Sequence, residues 1–139
     1  TGAIYGGEMS AHHYFRDFMS CDSGMIPWLL VAELIGRRGR SLGDLVADRI
    51  AAFPSSGEVN FRVGDVAASV ARVRAAYAAG AVALDETDGL GLSFPDWRFS
   101  LRSSNTEPLL RLNVESRGDA ALVAAQVAAI SGLIGAAPL

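Results

Sequence analysis

Apolar positions change their period along this chain, and the changes mark its elements. From Cys21 the run CDSGMIPWLLVAELIGRRG reads as a helix, with Asp22 or Ser23 as its cap, Pro27 in the first turn and Gly36 closing it. Ile26, Leu29, Leu30, Val31, Leu34 and Ile35 cover most of its circumference, which predicts a largely buried helix with Trp28 in the core. A second helix is expected from Ser41, where Asp44 three residues on resembles a capping box, and it runs through Leu45, Val46 and Ile50. The turn formers of Phe53–Glu58 then break the pattern, and a domain boundary is placed there, with a hinge near Pro54–Gly57.

Beyond that boundary the periods alternate. Val59–Val63 reads as a strand, and Asp65 caps a helix whose stripe Val66, Val70, Val73, Tyr77 lies on one face, with Gly80 at its end. Ala81–Leu84 and Leu90–Phe94 read as strands joined at Asp88-Gly89, a hairpin turn signal. Arg98–Arg102 and Leu109–Glu115 alternate apolar and polar residues, as strands with one buried face do. Asp119 caps a last helix with Val123, Val127, Ile130 and Ile134 on one face and Gly135 at its end. The order is β-α-β-β-β-α, which predicts an α+β domain: a four-stranded, mainly antiparallel sheet with two helices on one face. Residues 1–53 are expected to be the helical end of a preceding α/β domain, and residues 54–139 the small α+β domain.

Half of the 139 residues are hydrophobic and 19% are charged, enough to build a core and too apolar for a disordered segment. A net charge of -3, with 12 arginines and no lysine, supplies no field for nucleic acid or an anionic membrane, so neither is expected as a partner. The single Cys21 forms no internal disulfide, which fits a reducing, cytoplasmic compartment, and no apolar run approaches the roughly 20 residues of a membrane span. The chain begins without Met and without a leader pattern, which suggests a piece of something longer.

Candidate chemistry concentrates in two loops. The connection Arg102-Ser103-Ser104-Asn105-Thr106-Glu107-Pro108 contains no glycine, although hairpins usually turn on one. It offers the guanidinium fork of Arg102 and the short donors of Ser104, Asn105 and Thr106, a set suited to a phosphate. A polar turn bonded to itself is the competing reading, at about even odds on pattern alone. Arg98 and Arg102 share the strand face opposite Trp97, Phe99 and Leu101. In the other loop, GGEMSAHHYF (Gly6–Phe15), glycines permit close approach of a ligand, while Glu8 accepts hydroxyl hydrogen bonds and Ser10 donates or accepts beside it. On these residues alone a surface turn is the better reading. The lysine and Ser/Thr of a P-loop are missing, adjacent His12 and His13 do not suit one metal, and Asp85, Glu86 and Asp88 lack calcium-loop spacing.

The two loops in this order, with the capped apolar helix between them, resemble the C-terminal part of the α-D-phosphohexomutases. The run DWRFSLRSSNTEPLLRLNVES (Asp96–Ser116) resembles the bacterial phosphomannomutase branch. The resemblance implies a four-domain enzyme whose third domain binds sugar hydroxyls, here through Glu8, Ser10 and His12 in Gly7-Glu8-Met9-Ser10-Ala11-His12, with Ala11 where Gly is frequent. It implies a fourth domain that holds the phosphate not being transferred, through Arg102, Ser104, Asn105 and Thr106. It further implies an enzyme phosphoserine, a hexose 1,6-bisphosphate intermediate, Mg2+ and a hexose phosphate substrate. The family's serine loop (Ser-His-Asn-Pro) and Asp-rich metal loop (Asp-Gly-Asp) do not occur in this sequence. No catalytic residue or metal ligand is therefore expected here, and the chain alone is expected to be inactive without the N-terminal domains. A phosphoglucomutase, a dual-specificity mutase and a non-catalytic binding module are the alternatives.

Overall fold

The computed structural model describes residues 2–8, 10–104 and 109–139. It divides into two compact units, Thr1–Ala47 and Asp48–Leu139.

The first unit opens with a small antiparallel sheet of β1 (Tyr5–Gly7), β2 (His13–Phe15) and β3 (Cys21–Asp22), in the order β1-β2-β3. Register places Tyr5 opposite Phe15 and Tyr14 opposite Asp22. The helix expected from Cys21 starts later, as α1 (Met25–Arg38), because Cys21 and Asp22 are used in β3. Of the two predicted caps, Ser23 serves, its hydroxyl accepting from the Ile26 amide at 3.3 Å, while Asp22 turns towards His12 and His13. Gly36 lies inside the helix, which closes at Gly39 in the left-handed region at φ 59°, a conformation glycine adopts without a Cβ penalty. The expected burial of α1 is not found. None of its residues is buried, and Trp28, placed in the core by its apolar stripe, is 62% exposed. Periodicity reports an apolar surface and not the partner that covers it. α2 (Leu42–Ala52) starts as expected, with the Ser41 hydroxyl accepting from the Asp44 amide at 3.1 Å and donating to the Asp44 carboxylate at 2.7 Å.

The second unit is a five-stranded antiparallel sheet, not the four strands of the expected order. Its strands are β4 (Val59–Arg62), β5 (Ala83–Asp85), β6 (Leu90–Ser93), β7 (Trp97–Ser103) and β8 (Leu109–Ser116), in the spatial order β4-β8-β7-β6-β5. All five segments read as strands are present, so the order β-α-β-β-β-α counted one too few; the edge strand β5, expected over Ala81–Leu84, pairs with β6 across Asp88-Gly89. Gly89 at φ 88° is required there, since a Cβ would lie 2.5 Å from the Leu101 carbonyl oxygen. The α+β class stands, and α3 (Val66–Tyr77) and α4 (Ala120–Ile134) pack on β6 and β8 and against each other. Both helices start at the predicted caps, Asp65 accepting from the Ala68 amide at 2.9 Å and Asp119 from the Leu122 amide at 2.8 Å.

Alternation separates the two faces of this sheet. Phe61, Leu90, Leu92, Phe99, Leu101, Leu110, Leu112 and Val114 point under the helices and meet Val73, Val123, Ile130 and Ile134 in one core. Arg98, Arg102 and Arg111 stand on the other face. The segment expected as a hinge is stitched to β8 instead of hanging free: the Ser56 amide donates to the Val114 carbonyl at 2.8 Å, and the Ser116 amide to the Pro54 carbonyl at 3.0 Å.

Leu101 is fully buried at the centre of the sheet. Leu101→Ala should cost about 2–5 kcal/mol of unfolding free energy, read from the urea midpoint. A shift corresponding to less than about 1 kcal/mol would contradict this account of the core.

Candidate functional site

The first loop is ordered by hydrogen bonds across the small sheet. Glu8 follows β1, and its two carboxylate oxygens accept from the Ser10 hydroxyl at 2.9 Å and the Tyr14 hydroxyl at 2.8 Å. These bonds favour the ionised form and lower the Glu8 pKa, the Tyr14 bond contributing most; the Tyr14 hydroxyl is correspondingly held above its usual value by Glu8. A carboxylate offers about four lone-pair positions. Glu8 is thus oriented on one side and keeps acceptor capacity for a polyhydroxyl ligand on the other. Ala11 sits in the left-handed region at φ 66°, which is the physical reason a glycine suits this position.

His12 stands beside Glu8 in the loop, and its Nδ1 lies 2.8 Å from Asp22 Oδ2, while the other Asp22 oxygen accepts from the His13 amide at 2.9 Å. An ionised carboxylate only accepts, so the proton of this pair resides on Nδ1, and Nε2 is the nitrogen left to gain or lose one. Hydrogen bonding to Asp22, followed by its charge, raises the His12 pKa, and the same pair lowers that of Asp22. The three predicted residues Glu8, Ser10 and His12 therefore share one exposed hydrogen-bonded loop. Tyr14 lay in the candidate loop, but its bond to Glu8 was not legible, and neither was Asp22, which lies ten residues from His12 and arrives through the β2–β3 register.

The second loop leaves β7 at Arg102. Of its predicted residues, Asn105 and Thr106 lie outside the described residues, while Arg102 and Ser104 are placed. Register sets Arg102 directly opposite Arg111 on β8, and Arg111 opposite Asn60 on β4. An Arg111 Nη2 lies 3.4 Å from the Ser104 hydroxyl. Glu58, just before β4, faces both arginines, 3.4 Å from Arg102 Nη2 and 3.6 Å from Arg111 Nε, and Asp88 lies 3.7 Å from Arg102. Two arginines thus share one patch with a hydroxyl at the mouth of the loop, a donor set for a phosphate. Arg98, on the same strand face, is instead closed on Glu115 at 2.8 Å. Arg111 was the missed member; its signal was its polar place between Leu110 and Leu112, which the hairpin register turns into proximity to Arg102.

Comparison with known proteins places this geometry. A family profile described as phosphoglucomutase/phosphomannomutase, alpha/beta/alpha domain III, matches residues 1–53, and one described as phosphoglucomutase/phosphomannomutase, C-terminal domain, matches residues 58–133. The chain belongs to the phosphoglucomutase/phosphomannomutase family. Over 132 residues, 95% of the chain, it is 67% identical to a phosphomannomutase of Salmonella montevideo and 61% identical to one of Escherichia coli, and in each case it spans 29% of that protein. It is 63% identical to a protein of Xanthomonas campestris named among the phosphohexose mutases. A crystal structure of a phosphoglucomutase/phosphomannomutase family protein from Burkholderia thailandensis superposes with a TM-score of 0.68 at 28% identity, covering 99% of this chain and 30% of that one.

Among the described residues of this chain, no group of three or more His, Cys, Asp or Glu side chains is arranged to hold a metal ion. No helix among the described residues is long and apolar enough to cross a membrane.

The His12–Asp22 pair gives a pH prediction. A raised folded value means that the stabilising contact is complete below the ordinary histidine pKa and is lost as pH rises through the raised one. On the acid side, the contact is lost as pH falls through the lowered Asp22 value. The His12 Hε1 shift should titrate with a midpoint above the ordinary value near 6.5, and Asp22→Asn should bring it down. An unchanged midpoint in the variant would show that the pair does not form in solution.

Proposed function

We propose that this chain is the sugar- and phosphate-binding part of a phosphomannomutase, which interconverts mannose 1-phosphate and mannose 6-phosphate. Residues 1–53 form the end of its third domain and residues 54–139 its fourth, the remaining domains belonging to the same polypeptide and compartment, the cytoplasm. A phosphoserine outside this chain gives its phosphoryl group to the free hydroxyl of the hexose monophosphate. The resulting hexose 1,6-bisphosphate turns over, and its other phosphoryl group returns to the serine. The reaction and its Mg2+ requirement both depend on residues beyond these 139, so the chain alone is inactive.

The observation that carries this reading is the pairing of Arg102 with Arg111 across β7 and β8, with Ser104 at the loop mouth. Guanidinium forks suit a phosphate that is held but not transferred, and such positioning supplies much of phosphoryl-transfer catalysis. Asn105 and Thr106 complete that set. The Glu8 carboxylate, already oriented by Ser10 and Tyr14, accepts from sugar hydroxyls, and Ser10 and His12 flank it.

The test is an amide and guanidinium NMR titration of the chain with mannose 6-phosphate, with inorganic phosphate and mannose as controls. Both phosphates should shift Arg102–Thr106, and the sugar phosphate should add shifts at Glu8–His12. Charge-assisted hydrogen bonds contribute about 1.5–3 kcal/mol each, so Arg102→Ala should weaken phosphate binding at least about ten-fold. Unchanged affinity in that variant would remove Arg102 from the site.

A further inference from the structure

Arg98 and Arg102 stand four residues apart on one strand face, each with a glutamate in reach, yet the two pairs differ. Arg98 is closed on Glu115, with contacts of 2.8 and 2.9 Å. Arg102 meets Glu58 only at 3.4 Å, beyond the usual 2.7–2.9 Å of a charge-assisted bond. The second oxygen of Glu58 lies 3.6 Å from Arg111 Nε, an ion-pair distance and not a hydrogen bond, and among the described residues that buried Nε has no hydrogen-bond partner. Directly across the register, the buried Oδ1 of Asn60 lacks one as well. Such orphaned atoms are rare in folded proteins and call for an explanation. Nor is the glutamate a loose surface group: Glu58, Arg102 and Arg111 are 20%, 33% and 26% exposed, against 78% for Asp88.

Charge counting explains the arrangement. Two arginines without a counter-ion would repel each other, while two arginines with Glu58 and Asp88 sum to zero. A phosphate dianion arriving there finds guanidinium groups that the two carboxylates meet only at 3.4–3.7 Å, but also a carboxylate of its own sign between them.

We propose that Glu58 is the resident counter-ion of the anion site: its two oxygens hold Arg102 and Arg111 together when no phosphate is bound, and its charge keeps phosphate affinity low enough for release. This inference rests on the reading of Arg102–Thr106 as the phosphate loop. It makes Glu58 a positioning residue that acts through the arginines. Moderate affinity suits a ligand that must leave the loop and return the other way round, since uniform tight binding does not speed a reaction.

The test titrates this chain with inorganic phosphate, read by NMR at Arg102 and Ser104, in wild type and three variants. Glu58→Gln keeps size and shape and removes the charge. With an effective dielectric between surface and bulk values, it should bind phosphate roughly five- to twenty-fold tighter. A merely structural role predicts weaker binding. Asp88→Asn makes the same change in net charge at an exposed position and should change affinity less than about two-fold, because solvent screens it. Glu58→Asp keeps the charge and should stay within about two-fold of wild type, which also provides a reading if the Gln variant loses the dispersed amide signals of Leu101 and Leu112. Unchanged or weaker binding by Glu58→Gln, with Arg102 still responding in wild type, would overturn the counter-ion role and leave the phosphate loop standing. An equal gain from Asp88→Asn, or a larger change from Glu58→Asp, would also overturn it. If Arg102 and Ser104 respond in neither wild type nor Glu58→Gln, the phosphate-loop reading falls and this inference with it.

Discussion

The pairing of β7 with β8 is the constraint on which the second unit depends. One register puts Leu101 against Leu112 and Phe99 against Val114 beneath the helices, and in the same stroke puts Arg102 against Arg111 on the open face. Because strand side chains alternate, a slip by one residue would expose the leucines and bury the arginines. Core and arginine pair are therefore not independent features. The hydrophobic effect that selects the register also brings two like charges together, against their mutual repulsion.

That repulsion has to be answered locally, and the answer comes from other elements. Glu58 approaches from the segment before β4, and Asp88 from the β5–β6 turn, where Gly89 lets the backbone pass close to Leu101 and Arg102. The same logic operates in the first unit at smaller scale. There the β2–β3 register carries Asp22 to His12, and Glu8 is held by Ser10 and by Tyr14 from β2. In both loops a side chain with the chemistry for a ligand is oriented by a partner on a neighbouring strand.

The segment Pro54–Gly57 shows how a reading of composition differs from a reading of contacts. Pro54, Ser55, Ser56 and Gly57 have the composition of a linker. Their backbone nevertheless extends the sheet: Ser55 bridges to Glu115, and the Val114 amide donates to the Ser56 hydroxyl at 2.9 Å. The strand edge of β8 offers unpaired groups, and the chain passing beside it satisfies them with its backbone and, at Ser56, with its hydroxyl.

Local signals determined much of this protein. The caps at Ser41, Asp65 and Asp119, the stripes of α3 and α4, the Asp88-Gly89 turn and the alternation of β7 and β8 were all legible, because each depends on neighbours within a few residues. So were Glu8, Ser10, His12, Arg102 and Ser104 as bearers of polar chemistry in two loops. The apolar stripe of α1 was legible but does not name what covers it, so Trp28 is exposed where its stripe pointed to a core. The short strand β3 in place of a helix start, the bond of Tyr14 to Glu8, the membership of Asp22, Glu58 and Arg111, and the looseness of Glu58 beside the closed Arg98–Glu115 pair were not legible. These depend on register between segments distant in sequence, and register is decided by the burial of whole strand faces, a sum over the sheet that no short window contains.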